Sequence, residues 1–76
     1  MKLLLQLNQR VMINDNIPAT VSSITETILD LKGDFSRHHF CVSDYVSVNG
    51  IRFLIIGSEP NYLDLEITGD MEMGYV

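Results

Sequence analysis

The chain has 76 residues, with 5 Lys and Arg against 10 Asp and Glu, a formal net charge of −5 and one cysteine. That length makes a single small domain over residues 1–76, and the lone cysteine excludes an internal disulfide. The scattered Lys2, Arg10, Lys32, Arg37 and Arg52 exclude the clustered basic footprint on which nucleic-acid binding relies.

A domain this short buries only about 60% of the surface its unfolded chain exposes. With no disulfide to help, a homo-oligomer is the expected source of added stability. The opening MKLLLQLNQR superficially resembles a signal peptide. Its apolar run, Leu3 to Leu5 with Leu7, is too short for one, and no small-residue cleavage site follows. No stretch approaches the roughly 18 apolar residues that cross a bilayer. The expectation is a soluble protein of a reducing cytoplasm, without membrane association.

In chain order, LLLQL and RVMI read as strands, the second ending at the turn-prone NDN. The next segment, PATVSSITETILDLKG, supports two readings. Val21, Ile24, Ile28 and Leu31 recur at helical spacing, Ser23 with Glu26 resembles a capping box, and Gly33 is placed to stop a helix. Against a helix stands the density of Thr, Ser, Val and Ile, which lose rotamer freedom or compete for backbone bonds there. The preferred reading is a strand near Ile17–Ile24 followed by a loop or short helical turn; the alternative is a helix near residues 19–32.

FSRHHFCVSDY holds both histidines and the only cysteine. Read as a strand, it sends Phe40 and Val42 to the core and His39, Cys41 and Ser43 to the opposite face. His38 and His39 then point apart. His39 and Cys41 supply two ligands where a structural zinc site takes four, so no metal is expected. Cys41 with a histidine base would need an orienting group and an oxyanion site, and the sequence offers neither. No catalytic residue and no cofactor site is expected.

YVSVNGIRFLII carries the sharpest local signal. Asn49-Gly50 between two alternating apolar runs predicts a two-residue hairpin turn with positive φ at both positions. The register pairs Val48 with Ile51, Ser47 with Arg52, Val46 with Phe53 and Tyr45 with Leu54. Val46, Val48, Ile51, Phe53 and Ile55 form the core face. Tyr45, Leu54 and Ile56 form an apolar stripe on the other side, to be covered either by a sixth strand or the uncertain segment, or by another subunit as a candidate assembly interface. After the turn cluster GSEPN, YLDLEIT alternates Leu63, Leu65 and Ile67 against Asp64 and Glu66, which predicts a half-buried strand. The isolated glycines form no phosphate-cradling cluster. Every charge after Arg52 is negative; Asp64, Glu66, Asp70 and Glu72 read as an acidic, non-sticking surface.

These elements predict an all-β fold, a small barrel or sandwich of five to six short strands, with an α+β domain bearing one helix as the alternative. The succession LNQRVMINDNIPATVSSI, LKGDFSRHHFCVS and DYVSVNGIRFLIIGSEPNYLDLEI, over Leu7 to Ile67, resembles the head–tail joining (neck or connector) proteins of long-tailed bacteriophages. The chain lacks that family's frequent N-terminal helical segment and the residues it usually inserts before the hairpin. The resemblance implies a β-barrel virion protein. It would assemble as a ring between portal and tail, in the host cytoplasm before it enters the virion, and help retain or pass DNA. Portal or tail proteins would be its partners. The competing expectation is a small acidic phage-encoded inhibitor of a host protein, acting by imitating DNA charge.

Overall fold

The structure is a computed structural model that describes residues 2–67 and 72–74. Six strands close into an antiparallel barrel. They are β2 (Arg10–Ile13), β3 (Ile17–Ile24), β4 (Ile28–Lys32), β5 (Tyr45–Val48), β6 (Ile51–Glu59) and β7 (Tyr62–Glu66). Their order around the barrel is β2-β3-β4-β7-β6-β5. Two further strands, β1 (Lys2–Leu4) and β8 (Glu72–Gly74), pair in parallel as a separate two-stranded sheet. No helix occurs among the described residues, so the helix alternative for residues 19–32 is overturned.

The barrel is two meanders, β2-β3-β4 and β5-β6-β7, joined at two junctions. The β4–β7 junction has five register pairs, from Ile28 opposite Glu66 to Lys32 opposite Tyr62. The β2–β5 junction has a single pair, Ile13 opposite Val48.

Period-2 alternation builds the core. Val11, Ile13, Ile17, Ala19, Val21, Leu29, Leu31, Val46, Val48, Phe53, Ile55, Leu63 and Leu65 point inward from the six strands, and Leu5, Phe35 and Ile67 add to them from outside the barrel strands. No polar side chain among the described residues is fully buried. The core is therefore purely apolar, and hydrophobic burial at roughly 25 cal/mol per Å² is its main support.

The Asn49-Gly50 hairpin has the expected register at all four pairs, with φ of 50° and 85° in the turn. The strand expected near Ile17–Ile24 is β3. The loop expected after it is residues 25–27, a tight reversal to β4 in which Thr25 Oγ1 accepts from the Ile28 N–H at 3.0 Å. The helical spacing of the apolar residues has a different cause. A bulge at Ser22 puts one extra residue between Val21 and Ile24, and the reversal separates Ile24 from Ile28.

The stretch before the hairpin departs from expectation. Residues 38–44 are not a strand. The Asp44 N–H donates to the Cys41 carbonyl at 3.0 Å, and Ser43 has a φ of 76°. That turn interrupts the alternation, so Val42 points to solvent at 56% exposure instead of into the core. Phe40 does reach the core's edge, where its ring meets Phe35 edge-on at 5.6 Å.

Candidate functional site

Two features stand out on the barrel's outer surface. The first is carried by β3, β4, β7 and β6, whose registers align their outward residues in rows. Ser23 lies opposite Asp30, Asp30 opposite Asp64, and Asp64 opposite Gly57. Bulges at Ser22 and Ile56 flank this row on both sides. Bulges re-aim side chains and concentrate near functional surfaces. Ser22, Asp30, Lys32, Gly33, Asn61, Tyr62 and Asp64 line an open concavity of about 620 Å³ over it.

Two carboxylates placed directly across an antiparallel pair repel each other. Asp30 is half-buried, and its Oδ1 is sealed from solvent with no hydrogen-bond partner among the described residues. Burial first, then the hydrogen bond and the charge of Asp64, raise its pKa from 3.8 to about 6. Two ionised carboxylates have only acceptors to offer, whereas one proton makes either of them a donor. Chemically, Asp30 can keep its proton to a higher pH than an ordinary carboxyl, with Asp64 opposite it as an acceptor. Gly57 makes room for it: a Cβ there would stand 2.6 Å from Asp64 Oδ2.

The second feature is the stripe of Tyr45, Leu54 and Ile56, and all three point away from the core. Tyr45 is 53% and Ile56 40% exposed, while Leu54, opposite Tyr45, is half-buried. Glu66 and then Ile28 continue the Tyr45–Leu54 row onto β7 and β4. The guanidinium of Arg52 lies 4.1 Å from the centre of the Tyr45 ring, a cation–π contact that holds the ring along β6.

Of the residues read as an acidic surface, Asp64 and Glu66 are half-buried on β7. Asp70 lies outside the described residues, and Glu72 is placed only by its backbone in β8. Asp30 was missed because its importance comes from the β4–β7 register, a long-range pairing with no local signature. The alternation in ILDLK would have put it on the outer face.

His38, His39 and Cys41 are exposed in the loop between β4 and β5. With Phe35, Ser36, Phe40, Ser58, Glu59 and Pro60 they line a shallow concavity of about 250 Å³. Among the described residues no three or more His, Cys, Asp or Glu side chains gather in a way that would hold a metal ion. No protein-family model matches the chain, and neither does any curated protein or solved structure.

Proposed function

We propose that this chain is a non-enzymatic assembly module whose Tyr45–Leu54–Ile56 face packs against neighbouring subunits. In the setting implied by its likeness to head–tail joining proteins, it forms a ring between portal and tail and helps retain or pass DNA. The observation that carries the reading is an apolar stripe on the outside of a barrel whose core is already complete. Tyr45 and Ile56 add nothing to that core, and a lone monomer would favour charge at those positions. The small size of the domain also favours association.

Size-exclusion chromatography with light scattering, on the protein alone and mixed with a portal ring, tests this. The wild type is expected to form a multimer or to join the portal, and Y45E and I56E to do neither while remaining folded. A wild type that stays monomeric and ignores the portal under every condition removes the reading.

One observation favours the second reading, an acidic inhibitor of a host nuclease or polymerase. Asp30, Glu59, Asp64 and Glu66 share the outer face of β4, β6 and β7. It predicts a monomer in a one-to-one complex, with inhibition abolished in E59K/E66K. Those positions suit the test better than Asp64, which is confined against Gly57.

A further inference from the structure

We propose that Asp30 and Asp64 form a proton-operated latch on the β4–β7 junction, holding the two meanders together while they share a proton and loosening them when both are ionised. The latch does not depend on the assembly reading.

Topology places the pair where it matters. Among the described residues the strands of the two meanders pair only at β2–β5 and β4–β7. The former has one register pair and the latter five, with Asp30 opposite Asp64 in the middle of the five. Most of the closure therefore passes through the strand pair that contains the two carboxylates.

Gly57 borders the pair on the β6 side. A Cβ there would stand 2.6 Å from Asp64 Oδ2, so the bare Cα leaves that carboxylate its place opposite Asp30. On the other flank β3 presents Ser22 and Ser23, and Ser22 Oγ donates to the Asp30 carbonyl at 3.2 Å, not to its carboxylate. β3 carries no titratable side chain. On β7 the other titratable groups are Tyr62 and Glu66, on β6 Arg52 and exposed Glu59, and on β4 itself Lys32. Lys32 is the only cation among the residues lining the concavity.

The direction of the effect comes from linkage. Asp30 binds its proton more tightly in the folded chain, at about 6, than at its ordinary 3.8. Its contribution is complete below the lower value and is lost as pH rises through the upper one. The latch closes in mild acid and opens toward neutral and alkaline pH.

Amide hydrogen exchange, corrected for intrinsic rates and compared at about pH 5 and about pH 8, tests the latch in the wild type and in D30N. In the wild type, protection of the Leu29, Leu31, Leu63 and Leu65 amides is expected to fall about tenfold on raising the pH, more than across β5–β6. In D30N the side-chain amide donates to Asp64 at every pH, so protection should not change over that range. A carboxyl-carbon NMR titration of the wild type gives a reading that needs no variant. Expected is one of the pair titrating near neutrality; both titrating below about pH 4.5 overturns the latch. So does a pH response in D30N equal to that of the wild type, or one spread evenly around the barrel.

Discussion

Asn14 and Asn49 close the weaker junction of the barrel reciprocally. Asn14, just after β2, accepts the Ser47 N–H at 2.9 Å on Oδ1, and its own N–H donates to the Ser47 carbonyl at 2.8 Å. Asn49, just after β5, accepts the Met12 N–H at 3.0 Å and donates its N–H to the Met12 carbonyl at 3.0 Å. Both have left-handed backbones, with φ of 51° and 50°, which Asn tolerates better than most residues. Each side chain acts as an extra peptide unit where β2 and β5 share one register pair. The same geometry explains Pro18 inside β3: it sits opposite Met12, whose polar backbone faces the other way, toward Asn49.

Replacing these asparagines should separate two effects. N49G keeps the positive φ and removes only the acceptor, so it should cost about 1 kcal/mol in urea unfolding. N49A adds backbone strain and should cost about 2 kcal/mol or more. Combined with N14A, the loss is expected to fall short of additive, because one broken stitch lets the strands splay and devalues the other. Strict additivity would show that the two asparagines act separately.

Gly57 provides a second test. In G57A the new Cβ would stand 2.6 Å from Asp64 Oδ2 and 3.2 Å from its Cβ. Relief requires β6 or Asp64 to move, and overpacking of this kind costs about 1–3 kcal/mol. In a D64A background the carboxylate is gone, and the penalty of G57A should shrink by half or more. Thermal melts of the four variants check this, and an unchanged penalty would place the strain elsewhere.

Where the chain was legible, one local rule settled it. Asn49-Gly50 fixes a two-residue hairpin, and with it the inward side of Val46, Val48, Phe53 and Ile55. Strict alternation similarly gave β7. The helix alternative and the core side of Val42 rested on patterns that local irregularities produce or break. The spacing of Val21, Ile24, Ile28 and Leu31 combines a bulge with a reversal and imitates a helix. Val42 alternates correctly with Phe40, but Ser43 takes a left-handed conformation that few serines adopt, and the alternation stops there. The outer stripe came out of the hairpin register. The carboxylate pair did not, since it needs β4 beside β7, two segments about thirty residues apart in the chain.

Asp34 should respond to acid in the opposite sense to Asp30. The Ser36 hydroxyl donates to its Oδ1 at 2.7 Å and the Ser36 N–H at 3.3 Å, and these bonds hold its pKa below the ordinary 3.8. A lowered carboxylate pKa gives stability that is present above the ordinary value and lost as pH falls. S36A removes the stronger bond, so the Asp34 carboxyl should titrate closer to its ordinary value by NMR. Asp34 is exposed, so stability at neutral pH should barely change.

Phe35 should be the most sensitive position outside the strands. The Gly33 N–H donates to the Asn61 carbonyl at 3.1 Å and the Phe35 N–H to the Pro60 carbonyl at 2.9 Å, so the loop after β4 is tied to the β6–β7 turn. This holds the Phe35 ring, 2% exposed, in the core at that end of the barrel. A Cβ on Gly33 would stand 3.0 Å from the ring, which shows how closely the chain folds over it. F35A empties the space, and Phe-to-Ala changes in cores cost about 3–5 kcal/mol. Small domains have only about 5 kcal/mol or so to lose, so F35A should be largely unfolded by circular dichroism at room temperature. F40A loses only a half-buried ring and its edge contact, so it should stay folded. Its loop should come free, and trypsin should cut after Arg37 faster than in the wild type. Equal cleavage rates in the two proteins would mean that the Phe35–Phe40 contact does not hold the loop down.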